Sequence, residues 1–488
     1  MGTLPARHFA ILWQVRAQHG GMTRAVLQRS RNFVRSGVPG VEVLTFDEFE
    51  GYDSVGAELR GTGELADGVS LVNLWDWLRA STPVADAAPD VTAFAPLGSE
   101  VPIVGRTRTR LAGDGTTVLQ VDHLRDDGSL LVSDRRDVDE PGIHGGRSVV
   151  LCDAAGRPAK SWGSIWGLYR FWLDALRTGE PAIMIVDSKT SARFMATYRR
   201  RDVLTVHVVH GSHLQGDERP FARLRATRAE TFQSLEKFDR VVVLSSRQRD
   251  DIRLLLGATP NVIVVPVSID LPRAADARRA RPMTSGIMLS SLIARKRVDH
   301  AIEAVRGSGV TLDVYGTGVE SSRLAELAQT TGGLVHLRGH DTQARSRLAD
   351  HGFLALASVS EGLPLVLTEA MAAGCIPIAY DVPYGPADII TDRVDGLLVK
   401  SGDVSGLRDA IAWLGERSDR ELRVMRRAAR LTAEQYGGEA VTRRWLVELT
   451  AAWTEKVPPK PRRSLVTRAR SRVRRTVRPL VARVRASH

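Results

Sequence analysis

Residues 353–380 read FLALASVSEGLPLVLTEAMAAGCIPIAY. Two unbroken apolar runs, FLALA at 353–357 and IPIAY at 376–380, bracket a polar turn and a helical stretch. Continuous apolar strands alternating with helices are the pattern of a parallel sheet covered on both faces. Open sheets of this kind meet ligands in the loops at the carboxyl ends of their strands. Glu361 lies in such a loop, and Glu369 follows eight residues later on the helix that the loop starts. Backbone N–H groups from Gly362 to Val366, Leu365 among them, sit at that helix N-terminus and can meet phosphate oxygens. One segment thus offers donors for a diphosphate and carboxylates for sugar and ribose hydroxyls. For Glu369 taken alone, an exposed glutamate on an amphipathic helix is the plainer alternative.

The same alternation runs through most of the chain. Strands are expected at 8–15, 41–45, 69–73, 181–186, 203–209, 239–244 and 261–265 in the first half. In the second half they are expected at 286–290, 310–315, 333–337, 353–357, 376–380 and 396–399. Two such series predict two doubly wound domains, and the polar Arg/Ala/Pro-rich stretch 271–285 suits a linker between them. One region breaks the rhythm. VLQVDHLRDDGSLLVS places two strand-like runs around Asp127-Gly128, a strong hairpin signal. SVVLCDAAGRPAKSW follows with a further turn at Gly156. Residues 90–160 are therefore expected as a β-rich insertion forming an independent subdomain. The domain reading is 1–275, with 90–160 inserted, then 276–435, a C-terminal helix 436–457 and a basic tail 458–488.

Bulk properties set limits. The 488 residues exceed one compact domain, and 43% hydrophobic with 25% charged residues is ordinary for a globular protein. No apolar run approaches a membrane span, and the N-terminus enters a strand without a signal-peptide cleavage pattern. A cytoplasmic location is expected. Cys152 and Cys375 stand far apart and outside any CxxC pair, so both are expected as buried thiols with no disulfide and no cysteine metal site. The net charge of +12 sits in the tail, where ten arginines follow Glu455 with no acidic residue. Val466, Ala469, Val473, Val477, Leu480 and Val484 recur there at helical steps, the pattern of a basic amphipathic helix on an anionic membrane. A tail of this kind also binds nucleic acid, yet no aromatic-basic motif accompanies it, so no specific nucleic-acid partner is expected.

EGLPLVLTEAMAAG resembles the E-x7-E motif of the large retaining GT-B glycosyltransferase family, family 4. The resemblance implies two Rossmann-like domains facing a cleft, no metal and no cofactor beyond a nucleotide-sugar donor. It implies that Glu369 binds the donor ribose and that Glu361 lies by the donor sugar. MLSSLIARKRVDHAIEAV is similar to the family's strand-loop-helix at the start of the second domain, and Lys296 falls on its diphosphate lysine. A cation there would offset the charge growing on the departing phosphate. The family's arginine falls on Ser291, a departure for which Arg295 or Arg297 is the neighbouring substitute. LDVYGTGVESSRL and VHLRGHD resemble the nucleotide-side loops, with Gly316, Gly318 and His340 near base or ribose. His19-Gly20-Gly21-Met22-Thr23 matches the family's glycine loop, where Gly20 and Gly21 let the backbone approach the donor. His210, at the end of VLTVHVVH, falls beside the donor sugar, with His213 a weaker candidate.

GGMTRAVLQRSRNF, LTFDEFEGYD, HLRDDGSLLVSDRRD, VHGSHL and DVPYGPADIITDRVDGLLV together resemble the wall-teichoic-acid glycosyltransferases, poly(glycerol-phosphate) α-glucosyltransferases among them. The implied activity is front-face transfer, with retention, of a hexose or N-acetylhexosamine from UDP-glucose or UDP-GlcNAc. The acceptor would be a polyol-phosphate polymer, a glycan or a protein. Implied partners are a second copy through 90–160 and an anionic membrane through 462–488, which would place the enzyme on the inner face of the plasma membrane. A GT-B epimerase or phosphorylase would share the shell, and a non-enzymatic scaffold is the remaining alternative.

Overall fold

The computed structural model describes residues 6–81, 94–215, 222–257, 259–271 and 281–456. The linker at 272–280 and the tail at 457–488, with the amphipathic pattern expected in it, lie outside the described residues.

The first domain is a seven-stranded parallel sheet. Its order is Val262–Val264, Arg240–Val243, Val203–Val209, Ala182–Val186, Arg7–Ile11, Val41–Thr45, Val69–Asn73. The second is a six-stranded parallel sheet ordered Val335–Gly339, Thr311–Tyr315, Ser285–Leu289, Phe353–Leu356, Ile376–Asp381, Leu397–Lys400. The central strands are apolar because helices cover both faces. Val203–Val209 is buried at every position, His207 included. Each sheet reverses its strand order once. In the first, the reversal falls between Arg7–Ile11 and Ala182–Val186; in the second, between Ser285–Leu289 and Phe353–Leu356. The loops leaving three of those strands carry the glycine loop, Ser291, Lys296 and Glu361, as crevices at strand-order reversals require, while His210 and His340 follow other strands.

The insertion is a six-stranded antiparallel meander from Ile103–Val104 to Pro158–Trp162. Gly128 and Gly156 take positive φ values of 81° and 73° at its tight turns, where only glycine is unstrained. It forms its own sheet and packs onto the first domain. Leu131, Val132, Val149 and Leu151 are buried in one cluster with Trp172 and Phe46 of the first domain. A meander with one apolar face must bury that face somewhere, and the helix Ile165–Arg177 receives it.

The chain ends by returning. Helix Asp419–Glu434 belongs to the second domain, and helix Gly438–Lys456 then crosses to the first. Trp445 meets Phe33 edge-on at 6.2 Å, and Lys456 Nζ lies 2.6 Å from Asp239. Cys152 and Cys375 are both buried and unpaired, and burial pushes both thiols upward, Cys152 to about 12. Among the described residues, no helix is long and apolar enough to cross a membrane.

Candidate functional site

The two strand-order reversals face each other across a cleft of about 460 Å³. Gly21, Arg24 and His210 line it from the first domain; Ser291, Lys296, Arg345, Glu361, Gly362, Leu365, Val366 and Glu369 line it from the second. The E-x7-E carboxylates, the lysine, the glycine loop and the histidine are thus brought to one place.

The Glu361 loop is held from both sides by its own backbone. Glu361 N donates to Pro383 O at 2.8 Å, Tyr384 N donates back to Glu361 O at 2.9 Å, and Val359 N donates to Arg295 O at 2.9 Å. A side chain at Gly362 would put its Cβ 2.0 Å from the carbonyl oxygen of His210, so glycine is required for the two domains to close here. Helix Leu365–Ala373 starts at once, with Pro364 as its N-cap. Proline has no N–H, so the donors at this end are Gly362, Leu363, Leu365 and Val366. Lys296 Nζ donates to Glu361 Oε1 at 2.5 Å, with both side chains mostly buried. The ammonium is therefore held on the Glu361 carboxylate inside the cleft.

Glu369 receives both its oxygens' contacts from one donor: Arg345 Nε lies 3.0 Å from each. Arg345 was not legible in the sequence. With Arg24 it supplies the cleft's guanidinium groups across from Ser291. The two neighbours expected to replace the arginine missing at 291 do not line this cleft. Arg295 Nη1 donates to Ser360 O at 2.6 Å and lies 3.6 Å from Glu361 Oε1. Arg297 Nη1 donates to Ser401 Oγ at 3.3 Å, behind the loop.

His210 is anchored by a network that spans the first sheet. Its Nε2 lies 2.7 Å from Asp187 Oδ1, and Arg29 donates to both Asp187 oxygens at 2.9 and 2.6 Å. Asp187 follows strand Ala182–Val186 at the strand-order reversal and its side chain is fully buried. Burial alone would raise its carboxyl. The Arg29 charge and the hydrogen bonds from His210 and Arg29 outweigh burial and hold it down at about 2. Asp187 is thus a buried anion that both neutralises Arg29 and holds the imidazole of His210.

Helix Gly21–Arg35 begins at the cleft with Gly20 as N-cap and no side-chain cap. Nothing lies within 4 Å of where a side chain at Gly20 or Gly21 would start, so packing does not demand glycine and the space at this helix start is open. Gly316 and Gly318 do not line the cleft. A Cβ at Gly316 would meet Ser290 O at 1.9 Å, and one at Gly318 would meet Leu292 O at 2.1 Å, so both shape the Ser290–Leu292 loop from behind. His340 is exposed just past strand Val335–Gly339 and outside the cleft lining. His213 is buried, stacked between Phe232 and Tyr384.

A second cavity, of about 370 Å³, opens from the same corner and shares His210, Glu361 and Gly362 with the cleft. Lys189, Arg225, Arg228 and Arg295 line it. Burial, and then the neighbouring Arg225 charge, lower the Arg228 guanidinium from its ordinary value. Among the described residues Arg228 forms no ion pair. A half-buried cation beside other cations is the electrostatic signature of an anion site. Also among the described residues, no group of three or more His, Cys, Asp or Glu side chains is placed to hold a metal ion.

Two family models match the chain. One described as Glycosyltransferase Family 4 covers residues 125–273, and one described as Glycosyl transferases group 1 covers 285–432. An exopolysaccharide phosphotransferase of Streptomyces coelicolor is 33% identical over 49% of this chain, which spans only 25% of that protein. A poly(ribitol-phosphate) alpha-N-acetylglucosaminyltransferase of Staphylococcus aureus is 20% identical, over 90% of this chain and 98% of its own. The structure of S. aureus TarM with UDP and alpha-GlcNAc-glycerol superposes with a TM-score of 0.67 at 19% identity, covering 91% of this chain and 99% of that one. The fold is GT-B, with two Rossmann-like domains.

Proposed function

We propose, for a chain that belongs to the family 4 and group 1 glycosyltransferases, that it moves a hexose or N-acetylhexosamine from a UDP-sugar to a polyol-phosphate polymer, with retention. The observation that carries this reading is the paired cavity. A cleft with Lys296, Glu361, Glu369 and open helix ends suits a nucleotide diphosphate sugar. A cation-lined annex joins it at Glu361 and suits the phosphate of an acceptor. The relative acting on poly(ribitol-phosphate), which this chain matches over nearly its whole length, supports the same acceptor class.

In this reading the diphosphate lies between the N-termini of helices Gly21–Arg35 and Leu365–Ala373. Lys296 stabilises the charge that develops as the glycosidic bond breaks. Glu361 and His210 hold the sugar, and Glu369 the ribose. The acceptor hydroxyl enters from the annex on the face the diphosphate leaves, and a donor phosphate oxygen takes its proton. Self-association through the insertion is part of the proposal. Ile103, Val104 and Leu111 are exposed there, an apolar edge that suits a second copy. Attachment to an anionic membrane through 462–488 rests on the sequence pattern.

The test is a product assay with UDP-GlcNAc and UDP-glucose against glycerol-phosphate and ribitol-phosphate oligomers, with NMR assignment of the new linkage. An α-linked sugar on the oligomer is expected. Epimerised or phosphorolysed donor without acceptor glycosylation would overturn the reading.

A further inference from the structure

A third cavity continues the line of the first two. It measures about 350 Å³ and shares Lys189 and Thr227 with the cation-lined annex. Donor cleft, annex and third cavity therefore run in sequence from Glu361 outward. The third differs in chemistry. Trp13, Trp166, Tyr169 and Phe194 line it, together with Thr190, Ser191, Thr227 and the cationic Lys189 and Arg193.

Two features separate this wall from ordinary core. Trp13 and Trp166 are only half-buried although both line the cavity beside packed rings. Trp13 stacks on Phe46 at 6.2 Å with 9° between planes, and Trp166 leans on Phe194 at 6.3 Å. The second feature is Ser191. Its residue is 3% exposed, it lines the cavity, and among the described residues its hydroxyl has no hydrogen-bond partner. A buried hydroxyl without a partner is costly unless a ligand or water completes it.

Flat aromatic faces beside hydroxyl groups bind the C–H faces and hydroxyls of a pyranose. A volume near the small end of ligand pockets, roughly 300–1,000 Å³, holds one ring. We infer that the acceptor carries a saccharide ring next to its phosphate, and that Trp13, Trp166 and Ser191 form the subsite for that ring. This rests on the proposed transfer to a polyol-phosphate polymer and narrows it to repeats that also carry a sugar ring: hydroxyl, phosphate and ring are matched by Glu361, the annex cations and the aromatic cavity.

Two oligomers with equal numbers of phosphates test it, one of glycerol-phosphate repeats and one of sugar-phosphodiester repeats. Saturation-transfer NMR with UDP present reads binding without turnover, and transfer kinetics read kcat and KM. Wild type is expected to prefer the sugar-containing oligomer, with saturation reaching its ring protons. Trp166→Ala should reduce the ratio of kcat/KM between the two oligomers at least tenfold, acting through KM, while Trp166→Phe restores most of it. Ser191→Ala should reduce the same ratio severalfold. UDP binding by each variant checks the fold. No preference in wild type, or an equal loss on both oligomers, overturns the subsite. So does selective binding of a prenyl phosphate in place of the sugar. Absence of transfer to either oligomer would instead sink the glycosyltransfer reading, with the binding measurement still deciding the subsite.

Discussion

Replacing Asp187 should damage stability and transfer together, by amounts that can be set in advance. The carboxylate is fully buried, 2.6 Å from Arg29 and 2.7 Å from His210. Its carboxyl sits at about 2 instead of the ordinary 3.8. At about 1.4 kcal/mol per pH unit, the charged form is favoured in the fold by about 2–3 kcal/mol. That contribution is complete above pH 3.8 and is lost as pH falls through about 2. Substitution leaves Arg29 charged and buried without its counter-ion, and removing one partner of such a pair costs about 3–5 kcal/mol. Asp187→Asn is therefore expected to lower unfolding stability at pH 7 by about 3 kcal/mol, and Asp187→Ala by more. His210 loses its anchor in both, and misplacement of about 1 Å at a reacting centre costs about a hundredfold. Urea unfolding and steady-state transfer at pH 7 measure the two effects. An Asp187→Asn protein within about 1 kcal/mol of wild type, with wild-type turnover, would refute the assignment of Asp187 as the anchor of His210.

Lys296→Ala should cut turnover by about a hundredfold, because its charge acts where the leaving diphosphate develops charge. EDTA should leave wild-type transfer unchanged, and strict dependence on a divalent ion would contradict the mechanism. Glu361→Ala should lower kcat by about tenfold or more, whereas Glu369→Ala should mainly raise the donor KM. Arg345→Ala should follow Glu369→Ala in direction, and an effect on kcat alone would disconnect it from the ribose end. Gly362→Ala forces a methyl within 2.0 Å of His210 O, so it should hold the domains apart and abolish transfer while far-UV circular dichroism stays native; normal transfer would show that this contact does not form during turnover.

The central strands were legible because they are buried on both faces and read as continuous apolar runs, as Ala182–Val186 and Val203–Val209 do. Val41–Thr45, Val69–Asn73 and Val203–Val209 fall where the sequence placed them. The hairpin at Asp127-Gly128 was legible because a tight turn needs a left-handed residue. The shared core of the insertion was not, since alternation marks an apolar face without saying what covers it. The site divides the same way. Glu361, Gly362 and Glu369 share one short segment and so announce themselves. Asp187 and Arg29 stand 158 residues apart, and Arg345 and Glu369 meet from separate elements. Such pairs exist only once the sheets have brought distant loops together. Arg225 and Arg228 had no signal at all in a chain where arginine is abundant.

The return of helix Gly438–Lys456 to the first domain has a mechanical consequence. The polypeptide crosses between the two bodies once between Leu271 and Arg281, and again near Gly437. At the second crossing Ile269 N donates to Tyr436 O at 2.9 Å, so both passages are fastened at one edge. A pair of side-by-side tethers resists twisting and sliding but leaves one rotation free, as two pins leave a door free to swing. Rotation about such an edge changes the gap between Gly21 and Lys296 without repacking either sheet. Under the proposed function, donor entry and nucleotide release would then call for no rearrangement within either half, only for the gap to widen and shut.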